Sequence, residues 1–169
     1  HIFESADVDF TATDSSLTGL GNDTLIDIQL VELFGGSSDN TTDASAFTGR
    51  AFLNGMGGDD TMAGGSGYDR MFGGAGRDLL VGGDSDDVLR GQGGGDSLLG
   101  GAGNDKLNGQ KDHDLLSGGI DDDTLFGGAG NDTLTGDDGD DTLRGQGGND
   151  RLVDHAGDDL IAGDTGRDF

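Results

Sequence analysis

The chain has 169 residues, of which 37 are glycine, and its formal net charge is −25 at pH 7. Nine Lys and Arg among 34 acidic residues cannot form the basic surface that nucleic acid requires, and the same charge disfavours anionic membranes. No apolar run is long enough to span a bilayer, and the lack of cysteine excludes disulfides and thiolate metal sites. Cations are therefore the expected partners.

Residues 1–45 are predicted to form an N-terminal β cap. The segment IDIQLVELF at 26–34 is predicted to be a strand, and the segments at 18–26 and 35–43 look like degenerate copies of the repeat that follows. The end of a repeat array has to be covered. We therefore expect residues 1–45 to cap a second region, residues 46–169, that contains the array.

A nine-residue period dominates the second region. From Gly55 to Ala162 the sequence divides into twelve consecutive units without insertion or deletion, and a partial unit, GDTGRDF, follows. Position eight is apolar in every complete unit, and this constant register argues against a disordered low-complexity chain. Position six is aspartate in every unit: Asp60, Asp69, Asp78, Asp87, Asp96, Asp105, Asp114, Asp123, Asp132, Asp141, Asp150, Asp159 and Asp168.

Each unit is predicted to contain a short strand of about three residues and a glycine-rich turn that requires positive φ. If the chain reverses at each unit, two successive units form one coil, and coils stack as parallel rungs. The sequence thus predicts an all-β solenoid. Its position-eight side chains are expected to form the core.

Stacking places the position-six aspartates in two columns. Within each column, successive aspartates are expected about 4.7–4.9 Å apart, the spacing of neighbouring strands. Two carboxylates at that distance repel by roughly 3 kcal/mol at an effective dielectric near 20, so a cation is expected between them. Calcium–oxygen distances of about 2.3–2.6 Å are half the rung spacing, whereas magnesium prefers shorter octahedral geometry and zinc prefers His or Cys. Seven aspartates in one column and six in the other leave six plus five gaps, which predict up to about eleven Ca²⁺ ions. Without these ions the chain is predicted to be unfolded.

The units GGAGNDKLN at 100–108 and GGAGNDTLT at 127–135 resemble the RTX (repeats-in-toxin, hemolysin-type) calcium-binding nonapeptide G-G-x-G-x-D-x-U-x at every fixed position. The resemblance implies a right-handed parallel β-roll that holds calcium between turns and forms after secretion, often through a type I exporter. It implies that the position-six aspartates supply carboxylate ligands. Loop carbonyl oxygens are expected to complete the sites, namely those of Gly64, Gly67, Gly73, Gly76, Gly82, Gly91, Gly94, Gly100, Gly103, Gly118, Gly127, Gly130, Gly136, Gly139, Gly145 and Gly148.

Some units depart from the family pattern. Position four is Ser85, Asp112 or Asp121 in three units, position one is Asp154 in one, and Met56 stands at position two. Met56 and Asp154 make the two ends of the array the expected places for missing or poorly occupied sites. The position-two residues Gln92, Gln110 and Gln146 are separated by even numbers of units, so they are expected on one side of the roll.

Other polar residues carry weaker signals. His113 and His155 are expected in exposed turns, and Ser85, Ser97 and Ser117 lack any nucleophile context, so no catalytic residue is predicted. The position-five aspartates are either auxiliary ligands or solvated charge, and the sequence favours neither. They are Asp59, Asp86, Asp122, Asp140 and Asp158.

The favoured function is a non-catalytic, calcium-folded module of a larger secreted or cell-surface bacterial protein. Because the sequence begins at His1 rather than Met, we expect it to be a fragment of a longer chain. The alternative is a glycan-binding or adhesive appendage that contacts an extracellular polysaccharide. That alternative requires a basic stripe, for which the candidates are Arg70, Arg90, Lys106 and Arg144.

Overall fold

Two β-sheets account for the regular structure of this chain. The computed structural model describes residues 2–5, 9–14, 16–19, 22–24 and 28–169, and within these ranges there are strands and no helix. The first sheet contains, in spatial order, β1 (Ile2–Ser5), β5 (Leu30–Phe34), β7 (Arg50–Gly57), β9 (Arg70–Ala75), β11 (Val88–Gly93), β13 (Lys106–Lys111), β15 (Thr124–Ala129), β17 (Thr142–Gly147) and β19 (Leu160–Ala162). The second contains β18 (Arg151–Val153), β16 (Thr133–Asp138), β14 (Leu115–Ile120), β12 (Ser97–Ala102), β10 (Leu79–Asp84), β8 (Thr61–Ala63), β6 (Thr41–Ala46), β2 (Phe10–Thr13), β3 (Ser16–Thr18) and β4 (Asn22–Thr24).

Successive units alternate between the two sheets, so each strand of the array pairs in parallel with the strand one coil away. Leu89 in β11 pairs with Leu107 in β13, and Leu98 in β12 pairs with Leu116 in β14, a shift of two units in both cases. The predicted all-β solenoid, with two nonapeptides per coil, is confirmed. The constant shift follows from the uninterrupted nine-residue period.

The array strands are longer than the sequence predicted. Strand β13 has six residues and covers positions seven to nine of one unit and one to three of the next. Between β10 and β12 the register passes from the Val81–Leu99 pair to the Gly83–Gly101 pair and omits position one. The prediction of about three residues was wrong because the position-one glycine interrupts the strand locally and does not end it.

The turns place positions two and four in the left-handed region that glycine adopts without strain. Within the described ranges, the non-glycine residues with positive φ all stand at these two positions, and Ser85, at +73°, is among them. Its hydroxyl donates to the carbonyl of Ser66 at 2.9 Å. In the part of the chain that the structure describes, these residues are Met56, Ser85, Gln92, Gln110, Asp112, Asp121, Asp137, Gln146 and Asp164.

Within the array, the core is a column of position-eight side chains between the sheets, and buried N-terminal residues such as Phe10 and Leu33 extend it. From Met71 to Leu143 these side chains have no exposed surface, as the apolar pattern predicted. Burial is incomplete in the last two complete units, where Leu152 is only partly buried and Ile161 is 49% exposed. Ile161 lies on β19, which pairs with β17 alone among the described strands.

The N-terminal strands continue the two sheets. Leu30 in β5 pairs with Arg50, and Thr41 in β6 pairs with Thr61, so the shift here is longer than the two-unit shift of the array. Strands β2, β3 and β4 pair in antiparallel fashion at the end of the second sheet. Of the strand predicted at 26–34, residues 26 and 27 lie outside the described residues, and so does much of the degenerate copy at 18–26. The cap boundary at residue 45 stays a prediction.

Candidate metal centre

The position-six aspartates end each turn and stand directly before a strand, where the register stacks them coil upon coil. In one column, the Asp60 amide donates to Asp78 Oδ1 at 2.8 Å. In the other, the Asp69 amide donates to Asp87 Oδ1 at 2.7 Å. The same bond recurs along both columns to Asp168 and Asp159. The structure therefore brings the predicted ligands together in the two predicted columns.

The second carboxylate oxygen of most of these aspartates has no donor. Among the described residues, ten position-six Oδ2 atoms are buried without a hydrogen-bond partner, whereas Asp69 Oδ2 accepts from the amide of Gly65 at 2.7 Å. A buried anionic oxygen without a donor costs several kcal/mol, so it requires a proton or a cation. The ten belong to Asp60, Asp78, Asp87, Asp96, Asp105, Asp114, Asp123, Asp132, Asp141 and Asp150.

Each unpartnered oxygen faces a space that only glycine leaves open. A Cβ on Gly100 would collide with Asp105 Oδ2 and lie 2.6 Å from the carbonyl oxygen of Gly118, one coil ahead. The same pairing recurs at Gly55 and Gly127. Carboxylate and carbonyl oxygens thus converge beside these position-one glycines. Oxygen-only ligands suit a hard cation such as Ca²⁺.

The position-four carbonyl oxygens, also predicted as ligands, have different neighbours. The Gly58 oxygen lies where a Cβ on Gly76 would be, and the Gly76 oxygen lies where a Cβ on Gly94 would be. This close approach explains why glycine predominates at position four. Metal ligation by the position-four carbonyls stays a prediction, and so does the complete ligand set.

Burial raises the pKa of the position-six aspartates from Asp60 to Asp150. The pKa reaches about 8 for Asp87 and Asp123, and about 7 for Asp105 and Asp114. Loss of solvent is the largest cause, the backbone hydrogen bond from the preceding coil lowers the pKa, and neighbouring carboxylates raise it again. The columns therefore resist ionisation unless positive charge is supplied.

A second ladder runs along position five, at the exposed surface. Asp59 Oδ1 accepts from the Arg77 amide at 2.8 Å, one coil ahead, and His113 Nδ1 accepts from the Asn131 amide at 2.7 Å. The sequence analysis predicted that the position-five aspartates are either auxiliary ligands or solvated charge. It did not predict that they accept hydrogen bonds from backbone amides of the next coil. The signal was present in the frequent Asp and Asn at that position, since both side chains accept from turn amides. His155 is exposed, as predicted, and its Nδ1 lies 3.4 Å from Asp137 Oδ1.

Comparison with known families identifies the repeat. The family described as RTX calcium-binding nonapeptide repeat (4 copies) matches residues 48–71, 54–89, 72–107, 81–116, 99–134, 117–152 and 135–169. This chain belongs to the RTX calcium-binding nonapeptide repeat family. Its members are structural calcium-binding repeats and not an enzyme family. No curated protein matches the sequence.

Membership of the RTX family indicates that the cation bound by these oxygen atoms is Ca²⁺. RTX repeats bind Ca²⁺, and the buried Oδ2 atoms and the position-one carbonyl oxygens described above are the oxygen ligands that Ca²⁺ prefers. Among the described residues, no helix is long and apolar enough to cross a membrane.

Proposed function

We propose that this chain is a calcium-dependent folding module of a larger secreted protein, without catalytic activity of its own. Ca²⁺ between neighbouring coils is held by position-six carboxylates and position-one carbonyl oxygens, with up to about eleven ions in the two columns. The observation that carries the proposal is the row of ten buried carboxylate oxygens without a donor. Each would otherwise oppose folding.

The calcium requirement suits an extracellular location. At the low calcium level of a cytosol the ionised columns repel, so the chain stays unfolded and can be exported. Outside the cell, calcium fills the columns and the coils stack. Extracellular calcium modules have dissociation constants of about 10⁻⁴–10⁻³ M, and we expect half-maximal folding of this chain in that range.

Circular dichroism of the 169-residue chain tests the proposal. We expect a β-sheet signal in calcium and an unfolded signal in EGTA, with magnesium at equal concentration failing to replace calcium. Calorimetry counts the ions. A β-sheet signal that is unchanged by EGTA contradicts the proposal.

A second function, glycan binding, is favoured by one face of the first sheet. Register places Phe72, Arg90, Asn108, Phe126 and Arg144 in a single outward row. We call this row and the neighbouring Arg70 and Lys106 the basic-aromatic face. Six of the nine Lys and Arg residues lie on strands of this sheet: Arg50, Arg70, Arg90, Lys106, Lys111 and Arg144.

The basic-aromatic face combines three kinds of contact that a carboxylated sugar requires. The Arg90 guanidinium lies 5.6 Å from the Phe72 ring centroid, and the Lys106 ammonium lies 5.7 Å from that of Phe126. An open depression of about 510 Å³ beside them is lined by Asn108, Gln110 and Gln146, among others. Aromatic rings stack on sugars, cations pair with carboxylates, and amides bind hydroxyls. By contrast, the second sheet exposes apolar side chains, including Leu99 and Leu115.

Binding of a soluble polyuronate to the calcium-loaded chain tests this second function, with neutral dextran as the control ligand. We expect Arg90→Ala combined with Arg144→Ala to abolish binding. Arg77→Ala combined with Arg151→Ala removes two exposed charges outside the first sheet and should leave binding unchanged. Equal loss in both variants would indicate nonspecific charge attraction and refute a role for the basic-aromatic face.

A further inference from the structure

Asp154 is the one residue of the array that replaces a position-one glycine. The family pattern alone predicts a weakened site there, because position one supplies a backbone carbonyl and an open space. In the structure, the Asp154 carboxylate lies beside Gly136 and Asp141. This position indicates a strengthened site.

The carboxylate of Asp154 occupies the position that a backbone carbonyl takes in other coils. A Cβ on Gly136 would meet Asp141 Oδ2 and would lie 2.6 Å from Asp154 Oδ1. At Gly100 the corresponding neighbours are Asp105 Oδ2 and the carbonyl oxygen of Gly118. A charged ligand therefore stands where a neutral one is usual.

Three carboxylates meet at this point. Asp141, Asp154 and Asp159 each offer an oxygen, and these oxygens lie within 4.8 Å of one another. We call them the three-carboxylate site. Asp159 is also the partner of Asp141 in the column, since its Oδ1 accepts from the Asp141 amide at 3.0 Å.

An independent observation points to a bound cation. Asp141 is 1% exposed, and its Oδ2 is buried without a hydrogen-bond partner while facing Asp154 across Gly136. Asp154 Oδ2 is likewise buried without a partner, and its Oδ1 accepts from the neighbouring His155 amide at 2.8 Å. The donor-less Asp141 Oδ2 and the Asp154 Oδ1 thus lie beside the same space at Gly136.

We propose that the three-carboxylate site binds a cation more tightly than the other sites of the array, and that it prefers trivalent over divalent ions. The inference rests on the proposed function, because the other calcium sites are its reference. Ligand charge tunes calcium affinity, and an added carboxylate attracts a 3+ ion more strongly than a 2+ ion. One added carboxylate is expected to raise the affinity for a trivalent ion by about tenfold or more.

Lanthanide exchange into the calcium-loaded chain tests this proposal. One equivalent of Tb³⁺ is added to the full 169-residue protein, and nuclear magnetic resonance shows which backbone amides are perturbed first. We expect the amides around Gly136, Asp141 and Asp159 to be perturbed before those of the other coils. Simultaneous perturbation along the whole array would overturn the proposal.

Two variants with equal charge change provide the control. Asp154→Asn removes the added carboxylate, whereas Asp158→Asn changes an exposed position-five residue nearby in the chain. We expect Asp154→Asn to abolish the preference for Tb³⁺ at this site, with loss of about tenfold in affinity, and Asp158→Asn to retain it. Asp154→Gly restores the repeat and should make the site behave as the others do.

Failure of this inference is distinguishable from failure of the proposed function. If the wild-type chain folds with calcium but shows no site preference, or if both Asn variants behave alike, only the three-carboxylate site is refuted. If calcium neither binds nor folds the chain, the calcium module itself is refuted, and this inference with it.

Discussion

Asp86 and Asp87 are consecutive in the chain, but their carboxylates bind backbone amides on opposite sides of their coil. Exposed Asp86 Oδ1 accepts from the Asn104 amide, one coil ahead, at 2.9 Å. Asp87 Oδ1 accepts from the Asp69 amide, one coil back, at 2.7 Å, and Asp87 Oδ2 is buried without a partner. Equal substitutions at these two neighbours therefore separate the effect of the buried column from that of general charge.

Asp87→Asn is expected to impair calcium binding. The amide keeps the acceptor for Asp69 but replaces the anionic Oδ2, so the gaps on both sides of Asp87 lose a charged ligand. We expect calorimetry to count up to about two fewer ions and the calcium midpoint of folding to rise.

Asp86→Asn makes the same charge change at the surface and retains its acceptor oxygen. We expect ion count and midpoint close to those of the unmodified chain. If the two variants are equally impaired, general charge and not the buried column determines calcium binding.

Gly100→Ala is expected to damage a calcium site and the fold together. The new Cβ would collide with Asp105 Oδ2 and lie 2.6 Å from the carbonyl oxygen of Gly118, so side chain and backbone would both have to shift. We expect a loss of about 1–3 kcal/mol in the free energy of unfolding in calcium, measured by urea titration.

Gly93→Ala is the matched control, because the nearest atom to a Cβ there is 3.7 Å away and its φ is not positive. That variant should keep the stability and ion count of the unmodified chain. Equal damage in both variants would argue against the open space at position one as the metal cradle.

Stability of the calcium-free chain should fall as the pH rises. Folding raises the pKa from 3.8 to about 6 for Asp60 and to about 8 for Asp87 and Asp123. Between the unfolded and the folded pKa, the folded state binds more protons than the unfolded state. The folded state therefore becomes more stable as the pH falls. In EGTA we expect more β-sheet signal at about pH 5 than at about pH 8, because protonation neutralises the columns.

Calcium binding should show the opposite dependence, since only the ionised carboxylates hold the ion. Addition of calcium near pH 7 is expected to release protons, which a pH electrode detects in weakly buffered solution. A calcium affinity that is constant between about pH 5 and pH 8 would contradict this assignment of the ligands.

Leu116→Ala and Leu115→Ala compare adjacent residues of β14 on opposite faces of the sheet. Leu116 is fully buried, whereas Leu115 is 51% exposed. We expect the buried substitution to cost about 2–5 kcal/mol in urea titrations in calcium. The exposed substitution should cost well under about 1 kcal/mol. Similar losses at both positions would mean that the core is not the single column of position-eight residues.

The sequence predicted the features that the nine-residue period controls. The two-unit coil, the aspartate columns and the core from Met71 to Leu143 all follow from an uninterrupted register. The period does not fix how far a strand extends past a position-one glycine. Strand length was therefore underestimated.

The nine-residue period did not predict features that depend on the direction of individual side chains. The position-five ladder and the inward carboxylate of Asp154 depend on side-chain direction, which periodicity does not specify. The longer shifts at β5 and β6 arise where the repeat is degenerate, so no period predicts them. Ile161 obeys the pattern but remains half exposed on the terminal strand.

The alternation of units between two unlike sheets restricts how such an array can change length. Removing two units would delete one coil and leave each remaining side chain on its original sheet. Removing a single unit would transfer every later unit to the opposite sheet, so Arg144 would join the face of Leu99 and Leu115. The core and the aspartate columns would survive either deletion, because both sheets supply them equally. Only even numbers of nonapeptides can therefore be lost or gained while the outer surface keeps its chemistry.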